Sequence, residues 1–145
     1  MWPDYCFVSP CLDDYTLIIG YGKDDGYDEI VIKSRIFEEI QFFASHRVTE
    51  YHAWVKFMNS ELIRFYAYAG DQGEVVWDKG KMTPEEVQLG FGNFPRLGPV
   101  DFSEGENVPN EENVIQIAAA WGIDPTFESS KYGKTTGYLC TNLTY

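Results

Sequence analysis

Basic charge is scarce in this chain. Eleven Lys and Arg stand against 23 Asp and Glu in 145 residues, a formal net charge of −12. Such a field repels phosphate backbones and anionic lipid and attracts basic surfaces, which excludes conventional nucleic-acid binding. Long apolar runs are missing as well. Leu17-Ile18-Ile19 and Ile117 to Trp121 fall far short of the ~20 apolar residues a membrane-spanning helix needs. The opening Met1-Trp2-Pro3-Asp4 has neither the basic nor the apolar region of a secretory leader, so the expected location is the cytoplasm. Cysteine is sparse and odd in number. Cys6, Cys11 and Cys140, in a chain large enough to fold without staples, favour reduced thiols, with a Cys6–Cys11 bridge as the alternative.

Signatures of catalysis are also absent. There is no Gly-x-Ser-x-Gly elbow and no phosphate-cradling glycine loop, so neither acyl transfer nor nucleotide hydrolysis has its usual scaffold. The two histidines, His46 and His52, are one or two ligands short of a catalytic zinc site, with no Cys or carboxylate at ligand spacing. They read as a pair packed or hydrogen-bonded within a sheet. Asp24-Asp25-Gly26-Tyr27-Asp28-Glu29 has the composition of a calcium loop, but Arg35 stands where the twelfth-position carboxylate belongs. A solvated acidic turn accounts for it. The expectation is a protein with no metal, no cofactor and no enzymatic activity.

What the chain does have is apolar material: 44% hydrophobic residues and 17% aromatics, enough for one sizeable core in a single domain spanning 1–145. Tyr51 to Met58, Leu62 to Ala69 and Glu74 to Asp78 are rich in aromatic and β-branched residues and are separated by short polar turns, which predicts an antiparallel meander. Gln41 to Val48 adds a strand, with Ser34 to Ile40 a short helix before it. Tyr5 to Ser9, Tyr15 to Gly20 and Tyr138 to Leu143 read as further strands. Thr83-Pro84-Glu85-Glu86 carries a cap, a proline at the first helical position and a capping-box carboxylate, with Gly90 to close the end. Asn110 caps a second helix whose Val114, Ile117, Ala118 and Trp121 fall on one apolar face. Gly122 ends it, and Asp124-Pro125 begins a short turn of helix at most. That punctuation is shared with helix-turn-helix units, but 101–128 contains no Lys or Arg to meet phosphates. The fold class is α+β: an antiparallel meander sheet of about five to seven strands with two or three helices on one face.

The acids are unevenly spread. Residues 1–30 hold seven acids and one base, 101–128 hold seven acids and none, and 31–100 are nearly balanced. Tyr15, Tyr21 and Tyr27 interleave with one acidic flank and Phe102 and Phe127 with the other. Aromatic anchors ringed by carboxylates suit docking onto a basic protein. The candidate interface is therefore Asp24, Asp25, Tyr27, Asp28 and Glu29 together with Asp101, Glu104, Glu106, Glu111 and Glu112.

One family shares this style of sequence. The segments His46-Arg47-Val48, Glu50 to Trp54, Arg64 to Tyr68 and Gly73 to Trp77, followed by Thr83 to Glu86, Leu89-Gly90, Ile117-Ala118, Trp121 and Asp124-Pro125, resemble the acidic immunity proteins that accompany polymorphic toxins. Rhs-type effectors of type VI secretion are such toxins. The likeness covers roughly 40–127 and carries no shared active site. It implies a cytoplasmic protein that neutralises a cognate toxin domain by stoichiometric occlusion, the toxin presenting a basic surface. Two other readings remain: an acidic nucleic-acid mimic that inhibits DNA- or RNA-binding proteins, and a small-ligand-binding domain built on Trp54, Tyr66, Tyr68 and Trp77.

Overall fold

The computed structural model describes residues 5–20, 27–127, 132 and 136–141. In chain order the elements are β1 (Tyr5–Val8), β2 (Ile18–Gly20), α1 (Tyr27–Lys33), β3 (Glu39–His46), β4 (Tyr51–Met58), β5 (Glu61–Ala69), β6 (Glu74–Lys79), α2 (Pro84–Gln88), β7 (Gly98–Pro99), α3 (Glu111–Trp121) and β8 (Tyr138–Thr141). Strands β3 to β7 form one five-stranded antiparallel meander in sequence order, and β2-β1-β8 form a separate antiparallel sheet.

Alternation decides the two faces of the meander. Trp54 on β4 lies directly opposite Tyr66 on β5, and their neighbours Val55 and Phe65 pair in the next position. Trp54, Tyr66, Tyr68 and Val75 point to one face, where they pack with Phe91, Phe94 and the Val114, Ile117 and Trp121 stripe of α3. Ala53, Val55, Phe57, Phe65 and Ala67 point to the other, against Ile30 of α1. So α2 and α3 share one face and α1 covers part of the opposite one. Each face closes around an aromatic stack: Trp54 on Tyr66 at 4.7 Å between centroids, and Phe65 on Trp77 at 4.9 Å. Trp54 and Trp77 thus lie on opposite faces, which breaks up the four-aromatic pocket of the ligand-binding reading.

Turn chemistry sets the register. Asn59 and Ser60, both at positive φ, make a two-residue turn between the register partners Met58 and Glu61. This is the hairpin geometry whose twist matches that of the strands. Gly80, at φ +80°, lies so close to β5 that a Cβ there would collide with the Ile63 carbonyl oxygen, so glycine is required.

Two local expectations are corrected. The helix expected at Ser34 to Ile40 lies earlier, at Tyr27–Lys33, because Glu39 and Ile40 pair with Met58 and Phe57. Tyr27 to Glu29 are consequently the start of that helix rather than a solvated turn. Strand β2 is shorter than Tyr15 to Gly20, since Tyr15 closes a small bridge with Leu12. Asp124-Pro125, expected to begin a short helix at most, begins a turn, the Asp124 carboxylate accepting from the Thr126 backbone N–H at 2.9 Å.

Candidate functional site

A meander places alternate turns at the same end of its sheet. The β3–β4 turn and the β5–β6 turn therefore meet: the Gly70 N–H donates to the Glu50 carbonyl at 3.1 Å and the Asp71 N–H to Thr49 at 3.0 Å. Strand β7 brings a third segment to this end. Glu74 pairs with Pro99, the Val100 N–H donates to the Gly73 carbonyl at 2.9 Å, and the Phe102 ring lies over Gly73. From there the chain runs through a single 3-10 turn at Phe102–Glu104 to the N-terminus of α3. The Arg47 guanidinium of the β3–β4 turn pairs with Glu111 in the first turn of α3 at 2.7 Å.

The result is an acidic end. The segments 46–50, 70–74 and 98–112 contribute Glu50, Asp71, Glu74, Asp101, Glu104, Glu106, Glu111 and Glu112, with Arg47 as their one Lys or Arg. Two large apolar side chains stand exposed among them, Val48 at 88% and Phe102 at 55%. An open depression beside Val48 is lined by Ser45, His46, Arg47 and Glu111. Local bonds hold the carboxylates in place. Asp101 accepts from the Ser103 hydroxyl and from its backbone N–H, and these bonds hold its carboxyl below the usual aspartate value. Asn110 and Asn113 exchange backbone N–H to side-chain oxygen bonds at 2.9 and 3.2 Å, which seals the first turn of α3. Glu111 and Glu112 sit in that turn, where the helix dipole favours negative charge. Burial, and after it the nearby Glu50 carboxylate, push the Tyr68 phenol above its ordinary value.

Of the residues expected at an interface, Asp101, Glu104, Glu106, Glu111 and Glu112 are brought together here. Asp24 and Asp25 lie outside the described residues. Tyr27, Asp28 and Glu29 begin α1, on the face of the sheet opposite α3. The meander therefore lies between the start of α1 and α3. Glu50, Asp71, Glu74 and Val48 escaped the sequence reading because they fall in a stretch whose charges nearly cancel. The available signal was turn parity, since the first and third turns of a meander share an end. The other end carries both signs: Ser60 of the β4–β5 turn donates to the Ser34 carbonyl between Lys33 and Arg35, β6 finishes at Lys79, and Glu38, Glu39 and Glu61 flank the same turn.

A second polar cluster is mostly buried. Glu86 has no solvent exposure. It accepts from Trp54 Nε1 at 2.8 Å, from Arg64 Nε at 2.9 Å and from the Thr83 N–H at 2.7 Å. Arg64 continues to Asp78 at 2.7 Å, and Asp78 to Arg96 at 3.0 Å. Among the described residues every buried side-chain nitrogen and oxygen has a partner, and the cluster reaches the surface at Arg96. The histidines are likewise engaged. Buried His52 bonds Ser45 at 3.0 Å through Nδ1, and exposed His46 bonds Thr49 at 2.8 Å. Among the described residues no three His, Cys, Asp or Glu side chains group as metal ligands would, and no helix is long and apolar enough to cross a membrane. Cys11 and Cys140 are free thiols, so the Cys6–Cys11 alternative is not formed.

No known protein family, curated protein or solved structure matches this chain. The chemistry of the acidic end is therefore the ground for a functional reading.

Proposed function

We propose that this chain is a stoichiometric inhibitor of the immunity type, which docks its acidic end onto a basic surface of a cognate toxin domain. It would block the toxin's active site or the approach of its substrate. The observation that supports this reading is that three segments carrying eight carboxylates meet at one end of the sheet, and that the same segments expose Val48 and Phe102. Carboxylates steer a basic partner into encounter, and an exposed ring supplies the apolar anchor that slows its departure. The hairpin turns and the capped start of α3 hold these groups on rigid elements, so little order is lost on binding. No covalent chemistry is required of the inhibitor.

The test is affinity capture from lysate of the source organism, with the natural protein and an Asp71→Lys, Glu104→Lys, Glu106→Lys, Glu112→Lys variant compared side by side. All four positions are exposed. One basic partner, retained at equal stoichiometry by the natural protein and lost by a variant with an unchanged melting curve, is the expected result. Retention by the variant would remove this end from the interface. Many nucleic-acid-binding proteins released together by salt would point to a phosphate mimic instead.

A further inference from the structure

The small sheet has a feature that the thiol count alone does not show. Cys6 of β1 and Cys140 of β8 are register partners in an antiparallel pair, flanked by Tyr5 opposite Thr141 and Phe7 opposite Leu139. Directly opposite residues of such a pair stand about 4.5–5.5 Å apart at Cα, inside the range of roughly 4.4–6.8 Å that a disulfide spans. Cys140 is a half-buried free thiol, and Cys11 is exposed in the connection after β1. We propose that Cys6 and Cys140 are a disulfide-forming pair, which on oxidation covalently joins the first strand of the protein to its last.

The sparse packing of this sheet gives such a link its importance. None of the described side chains of β1, β2 and β8 enters either core cluster. Ile18, Tyr138 and Leu139 remain more than half exposed. The Phe7 ring lies against Gly137. A three-stranded sheet whose described side chains bury so little apolar surface is marginal by itself, and small modules in that condition rely on covalent staples. The bridge would close a loop containing nearly the whole chain, the case in which the unfolded state loses most freedom.

The chemistry is thiol–disulfide exchange with a low-molecular-weight disulfide as oxidant. The thiolate of one cysteine attacks a sulfur of the oxidant, forming a mixed disulfide and releasing one thiolate. The second cysteine's thiolate then displaces the other half, leaving the protein bridge. The two protons lost by the cysteines are taken up by the two released thiolates, and the oxidant's one disulfide is reduced to two thiols.

The experiment uses the full chain, reduced, freed of reductant and exposed to oxidised glutathione under native conditions. Non-reducing peptide mapping is expected to find Cys6 linked to Cys140, with the free-thiol count falling from three to one and Cys11 left over. The melting temperature is expected to rise on oxidation in the natural protein and in Cys11→Ser, and to stay unchanged in Cys140→Ser. Three thiols that persist would overturn the proposal. Glutathione retained on single cysteines, or a bridge that includes Cys11, would overturn it equally.

Discussion

A carboxylate without solvent contact must find its charge balance inside the protein, and Glu86 finds it in Arg64. The pair is 2.9 Å apart, and both side chains are essentially inaccessible. Glu86 also closes the capping box of α2, so one side chain ties a helix start to the middle of β5 and to the indole of Trp54. Removing it would leave Arg64 Nε, Trp54 Nε1 and the Thr83 N–H without their buried acceptor, a loss of about 3–5 kcal/mol. Glu86→Ala should lower the urea midpoint accordingly, and a shift below about 1 kcal/mol would show that Asp78 alone satisfies Arg64. Gly80 is the second residue on which the fold depends locally. Its positive φ and the Ile63 carbonyl, which occupies the space a Cβ would need, leave no room for a side chain. Gly80→Ala is expected to cost at least the ~1–2 kcal/mol of a left-handed non-glycine residue, read from the same denaturation curve. The capping box itself was legible from Thr83 and Glu86. That Glu86 would also grip Arg64 was not, because nothing local records a partner 22 positions away.

At the scale of elements, the N-terminal segment is moored to the main sheet through Tyr15. Its hydroxyl donates to Glu39 at 3.1 Å, and its ring lies against Gly122 at the end of α3. Burial alone would raise the Glu39 pKa. Hydrogen bonds from Gln41 and the charge of Lys56 outweigh it and hold the carboxyl below its ordinary 4.5. A depressed folded-state pKa contributes stability that is complete above the ordinary value and lost as pH falls through the folded one. The stability gap between the natural protein and Glu39→Gln should therefore narrow as pH falls from about 6 to about 3. A gap that stays constant would show that the ionised form of Glu39 has no net advantage in the folded state. Tyr15 responds at the opposite extreme: burial, and then the bond to Glu39, raise its phenol above 10.0. Alkaline conditions above that value should weaken the same mooring.

For the whole molecule, charge differs between the two ends. The carboxylates of the odd-numbered turns crowd one end, while the other mixes Lys33, Arg35 and Lys79 with Glu38, Glu39 and Glu61. Like charges at one end repel each other, and salt within a Debye length of about 10 Å screens that repulsion. Added sodium chloride should raise the denaturation midpoint of the natural protein, and should raise it less in the four-lysine variant. An equal response in both would mean that these four carboxylates carry none of the repulsion. Association with a basic partner should respond in the opposite sense and slow with salt. The ion pair of Arg47 and Glu111 contributes little here, since Arg47 is 82% exposed and solvent and salt screen such a pair.

The sequence by itself determined the fold class, the boundaries of β4, the two capped helices and the apolar face of α3. Each of these rests on interactions within a few residues: side-chain alternation, a cap and its N–H, a stripe at helical spacing. The position of α1 needed the tertiary structure, because Glu39 and Ile40 became strand by pairing with Met58 and Phe57. The division of the strands into two sheets needed it too, since β8 finds β1 across almost the full length of the chain. The candidate site follows the same rule. Its acids on 101–112 stood out as a block, but Glu50, Asp71 and Glu74 joined them only when the meander folded its alternate turns to one end. Electrostatics acts through space, and proximity in space is what the fold supplies.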